Sequence, residues 1–334
     1  MKKLKYLCLS FLFISFGMSA QEETQPERKP GHKNENKFKE LYDEFATPNM
    51  FRTGSGAPGP GYYQQQADYK MDLQLDDVNS RLSGSETITY TNNSPDELKF
   101  LWIQLDQNMR APDSKTPLIA STFTSPTESP SNFVKKYMKD PLERGFHIEK
   151  VTDTNGKALS HTINSTMMRV ELPTPMHTGD KFSFNIQWWY NVNNHVEEGG
   201  RSGFEYFAEE DNKIYVMAQF YPRMAVYNDV EGWQNAQFFG RDEFALPFGN
   251  FEVNITVPAD HILDGTGKLM NRKDVFTKTM MDRYEKAKKS YEEPVVIVTQ
   301  DEAEVAQKSK STKTKTWKLY AENVRDFGWA SSRK

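Results

Sequence analysis

From residue 67 the chain alternates apolar and polar side chains with a period of two. Tyr69, Met71, Leu73 and Leu75 are interleaved with charged or amide residues, the pattern of a strand with one wet face. The same reading predicts strands over 86–91, 99–105, 167–172, 181–190, 213–220 and 251–257, with turn signals such as Asn92-Asn93-Ser94-Pro95, Asp153-Thr154-Asn155-Gly156 and Gly249-Asn250 between them. Short strands repeated without intervening helices predict a mainly β fold, an antiparallel saddle or sandwich of two or more sheets. Phe182, Phe184, Ile186, Trp188 and Tyr190 form the strongest stripe and are expected to face the core. Over 99–105 both faces are apolar, which predicts a central strand covered on both sides.

The alternation is interrupted in four places. Phe38, Leu41, Tyr42 and Phe45 stand at i, i+3, i+4 and i+7, one stripe of a short helix that Pro48 ends. Residues 54–66 are a Gly/Pro-rich connection, and 110–144, rich in Pro, Ser and Thr, is a surface loop longer than a normal connection. Residues 272–310 turn to Lys, Glu and Ala with helical character, and Thr299 is placed to cap Asp301-Glu302-Ala303-Glu304. Alternation resumes at Trp317, Leu319 and Ala321.

The first 20 residues have the order of an export signal: Lys2, Lys3 and Lys5, an apolar run over 6–16, then Gly17-Met18-Ser19-Ala20. That run is shorter than the roughly 20 apolar residues a bilayer span needs. The expected organisation is therefore a cleaved signal (1–20), a polar leader with short helix and Gly/Pro loop (21–66), and a β domain (67–334) carrying the helical insertion 272–310. Such a chain is exported, periplasmic or secreted, with no stable membrane anchor after cleavage. Losing the signal removes three lysines and no acid, which moves the formal net charge from −4 to −7. A mildly acidic surface excludes a general nucleic-acid footprint. Cys8, the single cysteine, lies inside the signal, so the mature chain has neither disulfides nor thiolate ligands.

Motifs for chemistry are sparse. A zinc peptidase helix needs two histidines four residues apart. The residues four positions after His32, His147, His161, His177, His195 and His261 are Asn36, Val151, Ser165, Lys181, Gly199 and Gly265, so no pair exists. His195-Val196-Glu197-Glu198 lacks the second histidine and is read as part of a loop. Gly54-Ser55-Gly56-Ala57-Pro58-Gly59 matches the letters of a dinucleotide loop, but it follows a helix and precedes Pro60, the wrong context. Gly200-Arg201-Ser202-Gly203-Phe204 misses the spacing of a nucleophile elbow and is read as a tight turn. Glu197/Glu198 and Glu209/Glu210 are neighbours on the chain and so diverge in space, unlike a glycosidase pair. Trp102, Trp188, Trp189 and Trp317 lie in apolar strand patterns, where core packing is expected before sugar stacking.

Four segments together carry a family resemblance: Leu101-Trp102-Ile103-Gln104-Leu105-Asp106-Gln107-Asn108-Met109, the stretch from Gly199 to Phe207, the stretch over 217–257 that opens Met217-Ala218-Gln219-Phe220-Tyr221-Pro222-Arg223, and Asn323-Val324-Arg325-Asp326-Phe327-Gly328-Trp329. They resemble the first domain of the aminopeptidase N-like zinc metallopeptidases (family M1). The resemblance implies a β-saddle domain in a protein that hydrolyses peptides from the amino end. It also implies that zinc sits in a separate catalytic domain bearing HExxH and Gly-x-Met-Glu-Asn. Neither motif occurs in these 334 residues, so the chain is expected to be the front portion of such a protein. It would then be inactive alone, with no catalytic residue or metal ligand of its own, and would meet a peptide substrate only through the catalytic domain. The family presents a Gln or Glu to the substrate's amino end at the position matched by Gln219; Tyr221 departs from the second polar residue many members carry. The alternative is a stand-alone exported β-sandwich module that binds carbohydrate or protein.

Overall fold

The computed structural model describes residues 48–116, 119, 127–137, 143–240 and 244–334. The signal and the helix expected near residues 38–45 lie outside them. Strands β1 (Gln66–Asp76) and β2 (Arg81–Thr91) make the first hairpin, and β3 (Leu98–Gln104) follows. Next come β4 (His147–Asp153), β5 (His161–Asn164), β6 (Met167–Met176) and β7 (Lys181–Asn191). The middle of the chain holds β8 (Gly203–Phe207), β9 (Asn212–Met217), β10 (Arg223–Met224), β11 (Tyr227–Asn228) and β12 (Gly232–Trp233). The last strands are β13 (Gly249–Pro258), β14 (Ile262–Gly265), β15 (Lys268–Leu269), β16 (Thr314–Val324) and β17 (Trp329–Ser332).

These strands build a seven-stranded sheet in the order β15-β16-β13-β1-β2-β7-β4, two four-stranded sheets, β10-β3-β6-β5 and β14-β17-β9-β8, and the small ribbon β11-β12. The expected β architecture is present, with one correction to its antiparallel character: β1 and β13 run parallel, Tyr69 opposite Phe251 and Leu73 opposite Ile255. A short turn can only return a strand antiparallel, whereas β13 is reached after a crossover through the other sheets and re-enters from the same end as β1.

One hydrophobic cluster joins the inward faces of the sheets. Phe184, Ile186, Trp188 and Tyr190 of β7 are at most 1% exposed, as their stripe predicts, while Phe182 at its start is half-buried against the same core. Trp188 lies flat against Gly84 of β2, where a Cβ would come within 2.4 Å of its ring. Trp189 points the other way, half-buried on the outer face between His147 and Arg81, so it is not a core residue. In β3 the second apolar face is only half covered: the Arg169 guanidinium sits 3.9 Å from the centre of the Phe100 ring.

The helices lie between strands. They are α1 (Pro130–Tyr137), α2 (His195–Glu198), α3 (Arg272–Val275), α4 (Lys278–Ala287) and α5 (Gln300–Ala306). The single turn of α2 corrects the loop reading of His195–Glu198; the Asn194 side chain accepts a bond from Val196 N and nucleates it. The helical insertion is the segment α3 to α5. Thr299 caps α5 in a reciprocal box with Glu302, and Phe276 packs edge-on against Trp317 to seat the insertion on β16.

Candidate functional site

The site grows from the end of β9. The strand predicted to continue to Phe220 stops at Met217, because Gln219 takes a left-handed conformation (φ 53°) and bends the chain. Two contacts hold this bend. Ala218 N donates to Ser202 Oγ at 3.2 Å, and Gln107 Nε2 donates to the Gln219 carbonyl at 2.8 Å. Gln107 is buried in a 3-10 turn, Asp106–Arg110, directly after β3. Arg110 braces it in turn, donating from Nη1 to Gln107 Oε1 at 3.2 Å and from Nη2 to the Gly199 carbonyl at 3.3 Å. A side chain at Gly200 (φ 99°) would collide with that guanidinium, so the glycine pair lets the loop close over Arg110. Burial lowers the Arg110 pKa from its ordinary value.

Beyond the bend, β10 pairs Arg223 with Gln104 at the end of β3. Arg223 is 4% exposed and grips Asp106, 1% exposed, through two bonds of 3.0 and 2.9 Å. Its third arm reaches Asp326 at 2.9 Å, and Tyr221 donates its hydroxyl to the other Asp326 oxygen at 2.8 Å. Burial alone acts to lower the pKa of Arg223, but Asp106 and Asp326 outweigh it and the net direction is upward. Burial pushes the Asp106 carboxyl up, against the pull of the same guanidinium. A bidentate, enclosed contact of this kind holds its groups in fixed geometry. Tyr69 of β1 completes the frame, accepting from Met224 N at 2.9 Å.

The four segments singled out in the sequence thus meet in one place, with Arg110 just after the first: Asp106 and Gln107 from the first, Gly199 and Ser202 from the second, Gln219 to Arg223 from the third, and Asp326 from the fourth. Asp106, Arg223 and Asp326 are invisible as a site in the sequence, since each is a single charge separated from its partners by about a hundred residues. Their one signal was that each lies inside a family-like block. The half-buried Gln219 side-chain amide makes no hydrogen bond among the described residues.

The other candidates separate. Glu198 pairs with Arg144 at 2.5 Å, both side chains largely covered, and Glu210 pairs with Lys334 at 2.8 Å in a more open position, so the two acidic pairs serve separate ion pairs. Residues 54–59 remain a turn-rich loop, and Ser202 is buried with its hydroxyl engaged. Among the described residues no group of three or more His, Cys, Asp or Glu side chains could hold a metal ion. The described residues therefore do not fit a catalytic zinc.

No family model matches this chain, and no curated protein matches it. Among solved structures, the chain is similar to an M1 zinc metallopeptidase from Deinococcus radiodurans at 14% identity and a TM-score of 0.42, over 82% of this chain and 43% of that one. It is also similar to a mutant of that enzyme bound to a Tyr-Ser-Ala substrate, at 12% identity and a TM-score of 0.41, over 80% and 42% of the two chains. The chain spans less than half the length of these structures.

Proposed function

We propose that this chain forms the non-catalytic β domain of an exported zinc aminopeptidase-like protein, walling the substrate cleft and presenting Gln219 to the amino end of a peptide. The observation that carries the reading is the convergence of all four family-like segments on one braced bend. The backbone that carries Gln219 is left-handed, its carbonyl clamped by a buried amide and its flanks fixed by Ser202 and the Arg223 pair, which leaves the unengaged side-chain amide on a rigid base from which to contact a ligand. The chemistry itself belongs to a zinc-bearing domain of the parent protein, and this chain supplies shape and one polar contact. A hydrogen bond from a substrate ammonium to the Gln219 amide is worth about 1.5 to 3 kcal/mol. In the protein as its gene encodes it, Gln219→Ala is expected to lower kcat/KM for aminoacyl anilides by about tenfold to a hundredfold, with the melting temperature unchanged. Equal rates in a variant that melts like the parent would refute the role of Gln219. Absence of HExxH from the complete gene product would refute the peptidase reading as a whole.

A further inference from the structure

The outer face of the seven-stranded sheet is a groove rather than a flat wall. A cavity of about 550 Å³ runs across β16, β13, β1, β2, β7 and β4, and a second of about 260 Å³ continues from it, sharing Asp72, Ser85 and Gln187. The cause is the choice of side chains along two cross-strand rows. One row reads Lys318, Asn254, Asp72, Ser85, Gln187 and Lys150; the next reads Thr316, Thr256, Gln74, Ser83, Trp189 and His147. The short side chains of Asp72, Ser83 and Ser85 lie on the two central strands, with Lys318 rising on one side and Gln187, Lys150, Trp189 and His147 on the other, so the surface sinks between them.

The polar groups in the groove are ordered but not used up. Asn254 donates to Asp72 at 2.8 Å and Thr256 shares a bond with Thr316 at 2.8 Å. Gln74, Ser83, Ser85 and Gln187 make no side-chain hydrogen bond among the described residues. Gln74, Ser83 and Ser85 stand on strands paired without interruption on both sides, and Gln187 is paired continuously with β2 while β4 bulges at Glu149 opposite it, so the backbone that carries these groups is fixed before anything binds. Trp189 forms one wall; His147 stacks on its ring at 3.8 Å and the Arg81 guanidinium sits 4.0 Å from its centre. Its ring is thereby fixed in place and leaves recognition to the groove's hydrogen-bonding groups.

We propose that this groove binds a neutral, hydroxyl-rich chain, a linear oligosaccharide. Charge and shape select that class. The face carries Asp72, Asp76, Glu149 and Glu252 against Lys70, Arg81, Lys150 and Lys318, with Lys70 and Glu252 already 3.3 Å apart, a balance that holds neither a polyanion nor a polycation. No exposed aliphatic side chain stands in either row, so an apolar peptide or lipid finds no anchor. Amide, hydroxyl and carboxylate groups that both donate and accept match vicinal hydroxyls. Six strands spaced about 4.8 Å apart span roughly 24 Å, the reach of a chain rather than of a single sugar.

The test is titration calorimetry on the full chain with four neutral hexasaccharides, cellohexaose, xylohexaose, mannohexaose and maltohexaose, and with hexagalacturonate as an anionic control. Saturable binding of at least one neutral chain is expected. Ser85→Trp, which fills the floor, is expected to weaken it more than tenfold, and Gln187→Ala by about fivefold, one neutral hydrogen bond. Both positions face solvent, and an unchanged thermal melt confirms the fold. No binding by any neutral chain at millimolar concentration, tighter binding of the galacturonate, or binding indifferent to both substitutions would each overturn the proposal. The result is independent of peptidase activity.

Discussion

Glu86 is the residue whose position costs the fold most plainly. It lies on the inward face of β2, opposite Met71 and Ile186 and only 3% exposed, with neither carboxyl oxygen bonded to a partner. Burial raises its pKa well above the ordinary value of 4.5. Below that value both folded and unfolded chains carry the proton and no penalty arises. As pH rises past 4.5 the unfolded chain ionises while the folded one keeps its proton, so stability falls by up to about 1.4 kcal/mol per pH unit until the folded pKa is reached. Glu86→Gln removes that titration. Its urea midpoint is expected to match the parent's near pH 4 and to exceed it increasingly toward pH 8; two parallel profiles would mean that Glu86 is not titrating. The period-two alternation around Ile88 and Tyr90 made the inward direction of position 86 legible in the sequence. That a carboxylate would be left there without a partner was not legible, because partners come from other strands. Asp106, Arg223 and Asp326 show the converse, since their mutual satisfaction depends on strand pairing that no local pattern encodes.

Elements were legible in proportion to their amphipathicity. The inward stripes of β1, β7, β13 and β16 could be read because each strand has one buried and one wet face, and Thr299 could be read because a capping box is local chemistry. The edge strands β5, β8 and β14 went unseen. All four residues of β5 are exposed, so it shows no alternation and exists through its pairing with β6. The parallel placement of β13 was hidden for the same reason. Helix α5 provides a test at this scale, since it buries no side chain and depends on its cap. Thr299→Ala removes the bond that Glu302 N donates to the threonine hydroxyl, a loss of about 1 kcal/mol, and leaves the bond from the backbone N of residue 299 to the Glu302 carboxylate. Amide exchange within α5 is expected to quicken about fivefold while exchange in β13 and β16 stays unchanged and the global melting temperature barely moves. Equal protection of α5 in the two proteins would show that contacts with α4, such as Arg283 to Glu302, hold it instead.

At the scale of the whole molecule, different groups respond at the two ends of the pH range. Glu86 acts against stability toward alkaline pH; toward acid, a contribution comes from the joint where β17 and the turn before β14 meet the β1–β2 turn. There Arg333, 5% exposed, bridges Asp77 at 2.7 Å and Asp260 at 3.1 Å, while Tyr215 donates to Asp77 at 2.9 Å. His261 is fully buried beside them, with Nδ1 2.9 Å from Ser331 Oγ and Nε2 without a partner. Burial first, and then the charge of Arg333, lower its pKa from 6.5 to about 4. Above pH 6.5 the imidazole is neutral in both states and its full contribution is present. As pH falls toward 4 the unfolded chain takes up a proton that the folded chain refuses, and stability drops by about 2 kcal/mol between pH 7 and 4.5. Asp77 and Asp260, both held below the ordinary carboxylate value, keep their contributions through this window and lose them only at lower pH. His261→Gln leaves a neutral side chain in the same place, so its unfolding free energy is expected to fall between pH 7 and 4.5 by about 2 kcal/mol less than the parent's. Because the comparison is of slopes, it holds even if the variant is less stable throughout, and identical acid limbs in urea titrations of the two proteins would remove His261 as the group responsible.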